Sequence, residues 1–275
     1  MEKWLKLFLS ALLVFSCNEK KIEQKSELNR ELAELKFKEE HNFLQGSPQS
    51  MKLLEEAIEL DSTYAEALRE YSVANLKRGM PLEWKPKFDK AVYHDPKTWQ
   101  GYRGYLYLWF YRDYKKAIAD FDATDTLTPH LDYPQGHSVY FWRGIAYLGL
   151  KDYDNSIAYW DKHITKETED TGEDWVELEA FLYRGIAYHE SGNSEKALEN
   201  FDKVIHYFKQ SADAKYYKAL VFMEQQKYEE ALALVDEAIL DFEQEFYNNR
   251  AYVETLRQIY RQDLEELRDA IVKGN

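Results

Sequence analysis

With 275 residues, 45% of them hydrophobic and 16% aromatic, the chain is too rich in apolar side chains to stay disordered. Six prolines and 11 glycines are few for an all-β protein, which needs frequent turns, so helices are favoured. The formal charge of −14 argues against nucleic acid, because phosphates are held by clustered Lys and Arg.

At the N-terminus Lys3 and Lys6 precede the apolar run Leu7–Phe15. That run is shorter than the ~20 residues of a bilayer span and suits the core of a cleaved secretory signal. The run ends in Val14-Phe15-Ser16-Cys17, and Cys17 is the only cysteine, so no intrachain disulfide can form. This ending resembles the signal of bacterial lipoproteins. The resemblance implies a signal peptide over 1–16, cleavage before Cys17, and acyl chains of the palmitate type on that residue. Several acyl chains anchor a protein stably without a transmembrane helix. Residues 17–30 are then the lipidated cysteine and a flexible tether, since Asn18 to Leu28 is charged and lacks an apolar stripe. Asn18 is not the aspartate of the enteric inner-membrane retention signal. No acidic cluster like the surface-export signal of Bacteroidota follows the cysteine. The expected location is the bacterial cell envelope, at the outer membrane and facing the periplasm.

From residue 31 onward a pattern of small and large residues repeats. Gly104, Gly144, Gly185, Ala219 and Ala251 mark a first helix, and each follows a basic residue: Arg103, Arg143, Arg184, Lys218 and Arg250. Three residues after the first four markers comes a ring, at Tyr107, Tyr147, Tyr188 and Phe222; Glu254 breaks the series. Positions i and i+3 share a helix face, so marker and ring point at one neighbour. A second helix repeats its own small residues, Ala117, Ser156, Ala197 and Ala231. Each is followed four residues later by a bulky one, at Phe121, Trp160, Phe201 and Val235. Turns fall at Asp113-Tyr114, Asp152-Tyr153, Gly192-Asn193 and Lys227-Tyr228. Upstream the pattern is fainter, with Leu54 and Ala57, Ser72, Phe88 and Ala91, and an unusual turn with Pro81 and Pro86 around Trp84. Downstream, Tyr260, Leu267 and Ala270 complete a last pair beginning near Phe246.

Arg184-Gly185-Ile186-Ala187-Tyr188 followed by Gly192 and Ala197, with 34 residues from Gly185 to Ala219, resembles the tetratricopeptide repeat. Other marker spacings are 40, 41 and 32, which places insertions near Thr128–Gly136 and Thr165–Val176. The resemblance implies an all-α fold, a right-handed superhelical solenoid of about seven antiparallel helix pairs spanning 31–275. It also implies that the first helices line a concave groove. The matched groove positions are Phe141, Ile145, Leu148, Leu182, Ile186, His189, Tyr216, Leu220 and Met223. Apolar and aromatic linings of this kind suit an amphipathic helix or an extended segment of a partner. The carboxylate clamp of the family is rejected, because the matching positions carry apolar groups. The recurring arginines are expected to pair with acids of a neighbouring helix.

The acids Glu167, Glu169, Asp170, Glu173, Asp174, Glu177 and Glu179 lack the ligand order of a calcium loop and read as a solvated stretch. Asp120, Asp122 and Asp125 read as a polar helix face. The histidines show no HExxH spacing, so no metal is expected, and convergence of His130 with His137 is a minor reading. No nucleophile elbow, P-loop or dinucleotide fingerprint occurs, and neither catalysis nor a cofactor is expected. The expectation is a membrane-tethered repeat scaffold for protein or peptide partners. The alternative is an accessory glycan-binding or nutrient-binding lipoprotein of an outer-membrane uptake system.

Overall fold

A computed structural model of the chain describes residues 23–274, so the expected signal peptide, Cys17 and the first part of the tether lie outside the described residues. Among the described residues all regular structure is helical, and no helix is long and apolar enough to cross a membrane. Thirteen helices follow in order: α1 (23–40), α2 (Pro48–Leu60), α3 (Ala65–Lys77), α4 (Pro81–His94), α5 (Pro96–Leu106), α6 (Tyr114–Leu127), α7 (Val139–Gly149), α8 (Tyr153–Thr171), α9 (Leu178–Glu190), α10 (Ser194–Tyr207), α11 (Ala212–Glu224), α12 (Tyr228–Glu243) and α13 (Arg261–Gly274). A π-helical turn, Tyr107–Tyr111, closes α5.

The chain divides at Trp99/Gln100 into two units, where the sequence suggests one region over 31–275. In the first unit α1 begins at residue 23, inside the stretch read as tether. It is helical there because it has something to pack on. Ala33 joins Leu54, Ala57, Tyr64 and Ala67 in one core, and Arg30 pairs with Asp61 at 3.0 Å and stacks 3.9 Å from the Tyr64 ring. The Pro81–Pro86 stretch is not a turn. Pro81 starts α4, where its missing N–H costs nothing, and the helix runs on through Pro86 with Trp84 and Phe88 fully buried.

The second unit, from Gln100, holds the greater part of α5, paired with α6, and the helix pairs α7·α8, α9·α10 and α11·α12. Their second helices start where the sequence places turns, and for α6, α8 and α10 the cause is capping. The side chains of Asp113, Asp152 and Asn193 accept from the backbone N–H three residues on, at 3.2–3.3 Å. Within each pair the marker glycine faces the bulky residue of the second helix. A Cβ on Gly104, Gly144 or Gly185 would stand 2.7 Å from Phe121, 2.6 Å from Trp160 and 2.6 Å from Phe201. Ser156 adds a hydrogen bond to the Gly144 carbonyl at 2.8 Å. Ala117, Ala197, Ala219 and Ala231 are fully buried.

Successive pairs are joined by the same bulky residues. Trp160 stacks on Tyr183 of the next first helix, and Phe201 stacks on Tyr217, each with ring centroids 5.9 Å apart. Tyr183 and Tyr217 stand two residues before their markers. An aromatic ring recurs at that offset as Tyr102 and Trp142, a second periodic signal beside the markers themselves.

The seventh pair differs from expectation. Ala251 is exposed and lies in residues 244–260, which carry no regular structure; only α13, the second helix of that pair, is formed. The reason is competition for backbone groups. Asn248 N–H is taken by the Asp213 carboxylate at 2.7 Å, and the carbonyls of Glu254 and Arg257 are taken by Arg112 and Tyr217. A helix through Ala251 would have to surrender these bonds.

Candidate peptide-binding face

The residues expected to line the groove fall into two groups. Phe141, Ile145, Leu148, Leu182 and Ile186 are buried, so these five are core and do not offer an open surface. Phe141 shows why: its ring meets Trp160 at 4.9 Å, His163 at 5.3 Å and stacks on His137 at 4.3 Å. His189, Tyr216, Leu220 and Met223 are half-buried. His189 lies 3.7 Å from Glu224. Burial, then the charges of Asp263 and Glu266 on α13, push the Tyr216 hydroxyl up. Leu182 keeps one role of interest. It lines a cleft of about 340 Å³ together with Leu178, Val204, Phe208, Asp213 and Phe246.

The first-helix face of the second unit is covered by residues 244–260 of the same chain. Phe246 leads in, accepting from Ala212 N–H at 2.9 Å while its ring meets Phe208 edge-on at 5.7 Å. Asn248 bonds Asp213 through its backbone and donates its side-chain N–H to the Tyr183 hydroxyl at 3.1 Å. Arg250 then reaches Tyr105, Trp109 and Trp142, with its guanidinium carbon 5.5, 4.7 and 5.7 Å from the three ring centroids. It also donates to the Tyr105 hydroxyl at 2.9 Å. On the way back Arg257 makes a two-pronged pair with Glu190, at 2.5 and 2.9 Å, and Leu256 and Ile259 are buried. Asp213 is only 3% exposed, and burial pushes its carboxyl up to about 7 although the Asn248 N–H pulls it down.

The repeated basic residues separate in the same way. Arg103 grips Asp120 with two bonds, at 2.7 and 2.8 Å. Arg143, 1% exposed, donates to Asp122, Asp125 and the Phe121 carbonyl. Arg184 bonds Asp161 at 2.7 Å and Asn200 at 2.9 Å, and Lys218 bonds Asp202. Those four tie first helices to acids, as the sequence suggests. Arg250 does not. Among the described residues it has no carboxylate partner, and three aromatic faces stand in its place.

A second cluster lies where the two insertions meet. The Thr165–Val176 insertion is not a loop: α8 runs on to Thr171, and Gly172, at φ +99°, turns the chain into a short 3-10 turn, Glu173–Trp175. Its acids have individual partners, Glu173 with Lys203 at 2.5 Å and Asp174 with the Tyr207 hydroxyl at 3.1 Å. The first insertion ends at His137, whose Nδ1 lies 3.1 Å from Glu177, while His130 sits 3.4 Å from Asp132. His163 completes the cluster, with Nε2 3.0 Å from Glu177 and Nδ1 2.9 Å from the Ser138 hydroxyl. A carboxylate only accepts, so His163 carries a proton on Nε2. Burial alone would raise Glu177, yet the bonds from His137 and His163 hold it well below the ordinary carboxylate range.

Ser138, His163 and Glu177 have the order of a hydrolytic triad, but the hydroxyl is engaged. Ser138 caps α7 by accepting from Phe141 N–H, and Ser138 and His163 are 1% and 0% exposed, beyond the reach of a substrate. The cluster clasps two insertions. Among the described residues no group of acids and histidines is arranged to hold a metal ion.

Residues 182–248 match the tetratricopeptide repeat model. No curated protein sequence matches the chain. Among solved structures it is similar to PilW, a widely conserved type IV pilus biogenesis factor, with a TM-score of 0.61 at 14% identity over 77% of this chain and 94% of that one. It is similar to YrrB, described as a tetratricopeptide protein with an unusual peptide-binding site, with a TM-score of 0.51 at 19% identity over 68% and 91%. It is also similar to a chain of the APC/C hetero-tetramer Cut9–Hcn1, with a TM-score of 0.57 at 11% identity over 82% of this chain but only 39% of that longer one. At these identities the likeness is one of fold. The chain folds as tetratricopeptide repeats, helix pair upon helix pair.

Proposed function

We propose that the protein is a scaffold that holds a protein or peptide partner on the first-helix face of its second unit, tethered to the bacterial cell envelope through lipid on Cys17. One observation carries the binding role. That face already holds a non-helical segment, residues 246–257, through hydrogen bonds to its backbone and one arginine in an aromatic cluster. A surface that satisfies the main chain of a non-helical segment has the chemistry for a partner of the same form. Repeat proteins with this architecture are in general scaffolds without catalysis, and the burial of Ser138 and His163 agrees with that role. The lipoprotein-like ending of the apolar run supports tethering, and Asn18 supports the outer membrane, facing the periplasm.

The test is chemical crosslinking in intact cells, comparing the unaltered protein with Leu220→Asp and Met223→Asp, both half-buried positions on α11. The variants are expected to fold and to lose a crosslinked partner. If both fold and retain every partner, binding on this face is wrong.

A further inference from the structure

The cluster around Arg250 has the composition of a cation site. Tyr105 and Trp142 meet edge-on at 5.2 Å, and Trp109 and Trp142 meet at 6.2 Å, so the three rings form adjoining walls. Trp109 and Trp142 are 2% and 0% exposed, and Arg250 is part of what covers them. The Trp109 indole N–H finds no hydrogen-bond partner among the described residues, and the Arg112 guanidinium also lies over that ring, 5.4 Å from its centroid. Aromatic faces attract a guanidinium through the ring quadrupole, most strongly where water is excluded.

The segment that fills this site is held unevenly. From Thr255 to Ile259 it is anchored by buried Leu256 and Ile259 and by the Arg257–Glu190 pair. Asn249, Ala251, Tyr252 and Glu254 are exposed, and Arg250 and Val253 are the half-buried side chains between them. Tyr252 and Arg257 carry φ of +73° and +58°, a left-handed backbone that costs ~1–2 kcal/mol per residue outside glycine. An irregular stretch longer than about 12–15 residues inside a packed domain is uncommon unless it has a function of its own.

We infer that Arg250 is a resident placeholder in a site for a cationic side chain, and that the partner is a non-helical peptide whose arginine enters the Tyr105–Trp109–Trp142 cage and lifts residues 249–254. This deepens the scaffold reading and rests on it. Resident Asn248 holds Asp213 through its backbone N–H and Tyr183 through its side-chain amide, and the face then accepts an arginine two positions on. A tethered segment competes at an effective concentration of about millimolar, so an outside peptide must overcome it, and removing Arg250 lifts that competition.

The experiment uses the full chain and a synthetic peptide spanning residues 246–257, followed by calorimetry. The Arg250→Ala chain, with an unchanged melting curve, is expected to bind this peptide at least about tenfold tighter than the unaltered chain. The same peptide with Arg250→Ala is expected to lose that gain, and adding Tyr105→Leu to the Arg250→Ala chain should abolish it. Equal affinity of the Arg250→Ala chain for both peptides, or no gain over the unaltered chain, overturns the inference. Should Arg250→Ala fail to fold, hydrogen exchange on the unaltered chain decides. Saturating peptide should speed exchange at amides 249–254, and unchanged exchange there overturns the inference. Failure in these arms with partner crosslinks still sensitive to Leu220→Asp removes the cage alone, whereas insensitive crosslinks remove the scaffold reading itself.

Discussion

The Trp160 indole lies against Gly144 so closely that a Cβ added to the glycine would stand 2.6 Å from the ring, inside any real contact. Trp160 is fully buried between α7 and Tyr183, so it has nowhere to retreat. Alanine favours a helix over glycine by ~1 kcal/mol, but overpacking a filled core costs about 1–3 kcal/mol, and the rigid indole puts this site at the upper end. Gly144→Ala is therefore expected to lower the melting temperature by a few degrees, at roughly 2–4 °C per kcal/mol for a chain of this size. A melting curve at or above that of the unaltered chain would show that the helices do not meet at this glycine.

Glu177 clasps the two insertions through His137 and His163. Its carboxyl is held below its ordinary value of 4.5, so it stabilises the fold above that pH, and the contribution is lost as pH falls toward the native value. A glutamine side chain at this position would present one acceptor oxygen where the two histidines need two. Glu177→Gln is expected to cost about 1–3 kcal/mol at pH 7. Urea unfolding should show the gap between the two chains at its full size at pH 7 and shrinking below about pH 4. A gap that persists unchanged into acid would mean that the histidine bonds contribute nothing.

The helix pairs are legible in the sequence because their signal is steric and local. A glycine or alanine at one position and a ring at another can be read as two halves of a contact, as Gly144 with Trp160 and Gly185 with Phe201. The groove is harder. The stripe Phe141, Ile145 and Leu148 belongs to a helix whose other faces, Trp142 and Ala146 among them, are buried as well. Spacing along a helix that is apolar all round cannot say which face is open. Arg250 looks like the other arginines because the dipeptide is the same, basic then small. What separates it is distant in sequence: the Asp213 carboxylate, which takes the Asn248 N–H, and the aromatic walls far upstream. Convergence of His137, His163 and Glu177 is equally hidden, since no spacing rule links the ends of two insertions.

The proposed membrane tether turns on one atom, the Cys17 thiol, which a lipoprotein-like ending would select. Without it the acyl chains have no attachment point, and each buried CH₂ they supply is worth ~0.8 kcal/mol of membrane affinity. Cys17→Ala is expected to move the protein from the membrane fraction to the soluble fraction or to leave its signal uncleaved. Metabolic labelling with a palmitate analogue tests the anchor in either case, since the unaltered protein alone should carry the label. Label on the Cys17→Ala chain would place the anchor elsewhere.

Asp213 gives the covering segment a pH dependence. Its carboxyl is buried, with Glu179 near, and accepts only neutral backbone N–H groups, from Asn248 and from its own residue, so its native value rises to about 7 from 3.8. A raised native value means that the folded chain binds the proton more tightly than the unfolded one. The stabilisation is complete below about pH 4 and is lost as pH rises through about 7, by a few kcal/mol at most. Asparagine offers the same acceptor oxygen without a charge. Asp213→Asn is thus expected to match the unaltered chain near pH 4 and to exceed it in stability near pH 8. Hydrogen exchange at the Asn248 amide is the direct readout, faster at pH 8 than the intrinsic rate change explains in the unaltered chain and not in the variant. Parallel behaviour of the two chains across that range would mean that Asp213 is ionised at both ends and that its proton does not hold the segment.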